Sequence, residues 1–388
     1  MKALFATAEW SPKEGYPACP SEQSLRRANI GSQVWKRPVF EIKETPTPDI
    51  GDDELLIRVK RCGVCGSDTH LYETDEDGYI IYSGPVKLPC VIGHEYSGVV
   101  EKAGSKVKSF KPGDLVSAES VIWCGVCTPC RSGAVNQCAR VELAGITAPG
   151  AFAEFIAANE RHCWSINGLK EAYDEEGVFD AGALIEPAGC AYNGLFIGGG
   201  GFMPGSVAAV FGAGPIGLSA VALARAAGAS KIIAFDLIET RLELARKMGA
   251  DFAYNISSLP GDGSPSEVIR ELTGGRGAEV IVEAAGAAKY TLPEMERSLA
   301  VNGQIIYLGR AATSASMYMD ILVSGANQVV GVRGHAGYGI YNNLIRLMRS
   351  GRLDLTGMIT AHYDFKDVMS AIKKSSDRTD GKIIVDMD

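Results

Sequence analysis

The 388-residue sequence has no block of basic residues. Lys and Arg number 38 against 46 Asp and Glu, a formal net charge of -8. The positive stripe needed against a phosphate backbone is missing, which excludes nucleic acid as a partner. No apolar run reaches the roughly 18 residues that a membrane span requires, so no membrane partner is expected. The opening segment MKALFATAEW has no apolar signal-peptide core, and a cytoplasmic location is expected. Internal repeats and low-complexity tracts are absent as well. In a reducing compartment the ten cysteines are read as metal ligands and free thiols rather than disulfides. Glycine, by contrast, is abundant at 46 residues, which suits tight turns and close approach of backbone to a cofactor. The 46% hydrophobic and 22% charged composition is that of an ordinary globular protein, long enough for two domains.

The first half reads as β. KALFATA, VFEIKET, ELLIRVKRCG, YSGVVEKAG and LVSAES are short strand-like runs divided by Gly, Pro and Asp. The texture changes near residue 184. LIEPAGCAYNGLF has the character of a helix. Apolar strands follow (SVAAVFG, KIIAFD, AEVIVEA, GQIIYLG, QVVGVRG), alternating with helical stretches such as PIGLSAVALARAAG. That alternation predicts an α/β chain with a parallel, doubly wound sheet covered on both faces. The last 50 residues return to mixed texture. The expected division is a β domain over 1–190 and 336–388, and a dinucleotide domain over 191–335. Residues 11–34 and the acidic segment 72–84 read as surface insertions.

Two clusters carry the chemistry. Cys124, Cys127, Cys130 and Cys138 form a C-x2-C-x2-C-x7-C run that can close a thiolate tetrahedron around a structural zinc. Cys65, in RCGVCGSDTH, and His94 and Glu95, in VIGHEYSG, offer mixed S, N and O ligands that could leave a position open for chemistry. Directly after Cys65 come Ser67, a hydroxyl for a proton relay, and Asp68, a carboxylate behind the ligands. Glu186, in LIEP, falls at the domain junction, where a cleft is expected. Zinc there can act as a Lewis acid on an alkoxide oxygen. The other cysteines, at 19, 62, 90, 163 and 190, have no partner spacing and read as packing residues. His162 reads as solvated. His335, in VRGHAGYG, is ambiguous between a cleft contact and packing.

Gly212, Gly214 and Gly217 form G-x-G-x-x-G after SVAAVF and open a helix with Pro215 and Ile216. The first glycine permits the turn, the second lets backbone approach a pyrophosphate, and the third lets helix and strand pack closely. Asp236 ends the next strand, 19 residues beyond Gly217, where a carboxylate can accept from ribose hydroxyls. It would repel a 2′-phosphate, which favours NAD. Arg241, five residues further on, is grouped with the cofactor residues but not as a phosphate reader.

Taken together, CGVCGSDTH, GHEYSGVV, the four-cysteine run, Glu186-Pro187 and GAGPIG resemble the zinc-containing medium-chain dehydrogenases over nearly the whole chain. The resemblance implies a GroES-like β domain interrupted by a Rossmann domain, with two zinc ions per chain. Cys65, His94 and Glu95 or Glu186 would ligate the catalytic zinc. Ser67 and His70 would match the proton relay, and Asp68 the carboxylate that orients the ligand histidine. The alcohol branch has a cysteine where this chain has Glu186. The chain is therefore similar to the polyol branch, with loops closest to the inositol-ketone enzymes. Arg333-Gly334-His335 replaces the Arg-Tyr pair of the sorbitol enzymes. The expected reaction is NAD-dependent oxidation of a polyol, cyclitol or aminocyclitol at a secondary alcohol, in a homo-oligomer, dimer or tetramer. In it the proton leaves through Ser67, the nicotinamide ribose and His70, and hydride goes to nicotinamide C4. The alternatives are a threonine- or butanediol-type dehydrogenase, and a homologue that binds cofactor without catalysis.

Overall fold

The computed structural model describes residues 1–259, 261, 263–310, 314–335 and 337–387. The chain divides into two compact units. One comprises Met1–Glu186, Thr360–Arg378 and Lys382–Asp388, and the other Pro187–Ile359 and Thr379–Gly381. This differs from the division drawn at 190 and 335. The helix Ile340–Arg349 buries Ile340, Tyr341, Leu344, Ile345 and Met348 along one stripe, and it belongs to the second unit. Its apolar period of three to four ties it to a neighbour that the mixed texture of the segment does not reveal.

In the first unit the strand Glu54–Gly63 is central. It pairs antiparallel with Glu95–Ala103, with Phe155–Asn159 and with the late strand Lys382–Asp386. Gly63 is in register with Glu95 on one side and with Ile384 on the other. Alternating Leu55, Ile57 and Val59 join Val100, Val116, Phe152, Ile156, Ile372 and Val385 in one buried cluster. Two segments expected on the surface enter this core. From 72–84, Ile80 is fully buried and Tyr79 and Tyr82 nearly so; from 11–34, Ala28 and Val34 are buried. In the first segment Glu76 and Asp77 are exposed, but Tyr79, Ile80 and Tyr82, which follow the acidic residues, turn inward, and composition alone hides that.

In the second unit six strands lie parallel. Lys231–Asp236 and Phe252–Asn255 stand on one side of Val207–Phe211, and Ala278–Glu283, Leu299–Tyr307 and Gln328–Gly331 on the other. The order of chain entry from the edge is third, second, first, fourth, fifth, sixth, which is the doubly wound dinucleotide-binding order. Val207, Ala209, Phe211, Ile233, Phe235, Ile281 and Ile305 bury one face, with the Phe211 and Phe235 rings stacked at 5.0 Å. Among the described residues no helix is long and apolar enough to cross a membrane.

Candidate active site

The strand Glu54–Gly63 delivers the chain to Cys65, which precedes the helix Gly66–Tyr72 in extended conformation (φ -102°, ψ 155°). The Asp68 carboxylate reaches back and accepts from the Cys65 backbone N–H at 2.9 Å. This side-chain cap fixes the turn on which the sulfur sits. Ser67 and His70 lie three residues apart on this helix and so share a face. Glu95 opens the neighbouring strand with His94 just before it, and the pairing of Gly63 with Glu95 brings them beside Cys65. The ligand atoms of Cys65, His94 and Glu95 all lie within 4.8 Å of one another.

The His94 ring is held between two residues of that helix. Its Nε2 stands 3.3 Å from Ser67 Oγ, and its Nδ1 3.7 Å from Asp68 Oδ1. Both Nδ1 and Asp68 Oδ1 are buried without a hydrogen-bond partner among the described residues. Burial alone would lower the pKa of His94, but the charges of Asp68 and Cys65 drive it well above the usual histidine value. Asp68, fully buried, is pushed up by desolvation against the opposing pull of His94. A half-buried thiol converging with a buried imidazole and a buried carboxylate suits a cation with mixed S, N and O preference, as zinc has.

Glu186 closes the first unit and is 6% exposed. Its Oε1 accepts from Ser120 Oγ at 2.7 Å, and its charge acts on both His94 and Lys382. Neither Ser120 nor Lys382 was a sequence candidate. A serine ending LVSAES and a lysine opening the apolar KIIVD carry no signal in their spacing.

The four cysteines of the second cluster come from a short lobe containing the helical turn Thr128–Arg131 and the turn Val135–Gln137. Their sulfurs lie mutually within 4.8 Å, with Cys127 3.4 Å from Cys130 and 3.8 Å from Cys138. Four sulfurs at ~2.3 Å from a central zinc have tetrahedral edges of about 3.8 Å, so the set fits that ion. Backbone N–H groups of Cys124 and Arg140 point at the Cys138 sulfur. The Cys124 thiol is pulled down to about 6 by the backbone N–H groups of Val126 and Cys127, while burial pushes Cys130 up to about 12. Thiolate character concentrated in such a knot is what a metal requires.

In the second unit Gly212 has φ +93°, and a side chain there would strike Ala285 N at 2.6 Å. A Cβ on Gly217 would lie 1.8 Å from Gly212 O, which explains the third glycine of the turn. At Gly214 a Cβ would meet only Arg241 Nη1, at 3.9 Å, so the backbone there is open to a ligand. Pro215 and Ile216 begin the helix Pro215–Ala226 behind it. Asp236 Oδ2 accepts from Ala213 N at 2.6 Å, and Oδ1 accepts from Leu237 N and Ile238 N at 2.7 and 2.9 Å. The carboxylate is thus clamped beside the glycine turn. Arg241 Nε donates to Asp380 O at 2.9 Å.

Two histidines differ from their sequence reading or resolve it. His162 is not solvated but 4% exposed, edge-on to Trp123, with its Nδ1 3.9 Å from the buried Glu119. His335 is 1% exposed, 3.9 Å from Cys190 Sγ and against the Tyr341 ring. The adjoining Ala336 lies outside the described residues. Cys62, Cys90 and Cys163 are buried, whereas Cys19 and Cys190 are only partly so.

A family model of the alcohol dehydrogenase GroES-like domain matches residues 51–168, and one of the zinc-binding dehydrogenases matches residues 215–350. The chain belongs to the zinc-binding alcohol dehydrogenases. It is 36% identical to the scyllo-inosose 3-dehydrogenase of Thermotoga maritima over 385 residues, 96% of either chain. It is 33% identical to the L-threonine 3-dehydrogenase of Bacillus velezensis, over 89% of this chain and 94% of that one. A solved structure of a candidate alcohol dehydrogenase from Thermotoga maritima superposes with a TM-score of 0.95 at 34% identity, with both chains covered in full. The zinc-binding dehydrogenase family thus accounts for both folds seen here, the β unit around Cys65 and the parallel sheet behind Gly212.

Proposed function

We propose that this chain oxidises a secondary alcohol of a polyol, cyclitol or aminocyclitol to the ketone, with NAD as hydride acceptor. The observation that carries the reading is the convergence of Cys65, His94 and Glu95 within 4.8 Å, with the charge of Glu186 acting on His94. Cys65 and His94, with Glu95 or Glu186, would hold a zinc ion, and Cys124, Cys127, Cys130 and Cys138 a second. When bound, the first zinc supplies Lewis acidity at the alcohol oxygen and NAD supplies the acceptor for hydride.

The chain's own residues do the rest. Asp68 sets the Cys65 turn and faces His94 Nδ1, so it orients both ligands. Ser67 Oγ would take the alcohol proton, and the nicotinamide ribose and then His70, on the same helical face as Ser67, would pass it outward. Gly212, Gly214 and Gly217 form the phosphate turn with Pro215 and Ile216. Asp236 accepts from ribose hydroxyls, and Arg241 stands beside Gly214. Proximity and orientation account for much of the expected acceleration. A cytoplasmic location and a homo-oligomer belong to the same reading.

Cyclitol chemistry is favoured by the similarity to scyllo-inosose 3-dehydrogenase over nearly the full length. Similarity to L-threonine 3-dehydrogenase supports a second reading, an amino-acid alcohol. The deciding experiment is NAD reduction with a cyclitol panel set against threonine and 2,3-butanediol. Threonine as the best substrate would overturn the cyclitol reading. One metal per chain with no turnover on any alcohol would overturn the enzyme reading.

A further inference from the structure

The second unit buries one carboxylate, and the reaction above makes no use of it. Among the described residues of that unit Glu283 is the only buried acidic side chain, at 0% exposed. It ends the strand Ala278–Glu283 and lies in register with Phe211, at the end of Val207–Phe211. These are the fourth and first strands of the sheet. The strand order reverses between them, and the crevice beyond the ends of such a pair is where a dinucleotide lies.

The chain leaving Glu283 is packed onto the glycine turn. Ala284 N donates to Phe211 O at 2.8 Å, and a Cβ on Gly212 would lie 2.6 Å from Ala285 N. The segment then enters the helix Ala288–Ser298, whose cap residue, Ala287, offers no side chain to the backbone N–H groups there. Glu283 serves them instead. Its Oε2 accepts from Gly286 N, and its Oε1 from Ala287 N and Thr291 Oγ1, each at 3.2 Å. Gly309 leaves the space for this carboxylate, since a Cβ there would lie 2.2 Å from Glu283 Oε2. The Glu283 carbonyl ties the neighbouring loop as well, accepting from Leu308 N and Gly309 N at 2.9 Å. Among the described residues these three side-chain bonds alone offset the cost of burying the carboxylate, and they last only while the 284–287 turn keeps its shape.

We propose that Glu283 is a positioning residue for the cofactor. From inside the sheet it holds the 284–287 turn against Gly212 and so keeps the crevice beside the glycine turn in the form that NAD binds. This rests on the NAD part of the reading given above and is independent of which alcohol is oxidised. A neutral amide in its place would set an NH2 group against one of the two backbone N–H donors, and the turn would move off the glycine.

The test uses the full chain in wild type, Glu283→Gln and Thr291→Val. The second variant removes only the hydroxyl donor and leaves both backbone bonds to Glu283. NAD affinity is measured by calorimetric titration, and the hold on the turn by amide hydrogen exchange of Gly286 and Ala287 in protein without cofactor. In Glu283→Gln the NAD dissociation constant should rise about tenfold, and the two amides should exchange about tenfold faster. With an alcohol that is turned over, KM for NAD should rise by the same factor while kcat stays within about threefold. Thr291→Val should stay within about threefold of wild type in affinity and exchange. If Glu283→Gln does not fold, Glu283→Asp, with its shorter reach, replaces it with the same readouts. Unchanged NAD affinity in the Glu283 variant, or an equal loss in Thr291→Val, would overturn the inference while leaving the NAD reading standing. Wild-type protein that binds no NAD would overturn both.

Discussion

Glu186 and Asp236 are single carboxylates whose neighbours define their tasks. Glu186 is buried, with one oxygen on Ser120 and its charge felt by His94. Glu186→Ala should lower turnover by at least about 100-fold and reduce metal retention. NAD affinity should be unchanged, because the glycine turn and Asp236 belong to the other unit. Near-wild-type turnover in that variant would reduce the LIEP context to helix packing. Asp236 is clamped by three backbone N–H groups next to the glycine turn. Asp236→Ser should narrow the preference for NAD over NADP by about tenfold or more, read as the ratio of kcat/KM for the two cofactors. Equal use of both cofactors by the wild type would remove Asp236 as the selector. Both residues were candidates from the sequence, Asp236 because it ends the strand after the glycine turn and Glu186 because of its place in LIEP. Lys382 and Ser120 were not. Each acts through a partner more than 60 positions away, Glu95 for Lys382 and Glu186 for Ser120, and only the folded chain reveals the pairing.

At the scale of elements, the four-cysteine lobe and the 11–34 segment show two ways of tying down chain that has little core. The lobe depends on its ligands. Cys127→Ser should lower the thermal midpoint by roughly 10 °C and release one metal equivalent, as followed by calorimetry with metal analysis. Full stability with both metals retained would rule out a structural role. The 11–34 segment depends instead on Glu22, 4% exposed, which accepts from Tyr16 Oη, Cys19 N and Asn29 N at 2.8, 2.9 and 2.7 Å. Burial works to raise its pKa, but the Asn29 and Cys19 N–H groups and the Tyr16 hydroxyl outweigh it and hold the carboxyl below its usual range. A depressed folded value means a contribution fully present at neutral pH and lost as pH falls through that value. Glu22→Gln should therefore cost about 2 kcal/mol near neutrality, and the difference from wild type should shrink in acid when urea midpoints are compared across pH. The sequence showed this segment only as polar. A buried carboxylate serving three local donors has the same composition as a solvated one.

At the scale of the whole molecule, the change from alternating short strands to apolar strands spaced by helices marked the two folds correctly. It did so because period and length are local properties of the chain. The second division was misplaced because Ile340–Arg349 is amphipathic, and the face it covers is decided by tertiary packing. The interruption of the first unit has a further consequence for the order of biosynthesis. Residues Pro187–Ile359 form a nearly continuous stretch that can fold as soon as it leaves the ribosome. The earlier-made unit cannot finish then, because Arg61, Cys62 and Gly63 find their partners in Asp386, Val385 and Ile384, more than 300 positions later. During synthesis one edge of Glu54–Gly63 stays bare and Glu95 has no ammonium beside it. A nascent chain stalled at residue 381 would carry a finished cofactor-type sheet and an unfinished alcohol site, so the half of the enzyme translated first is the half completed last.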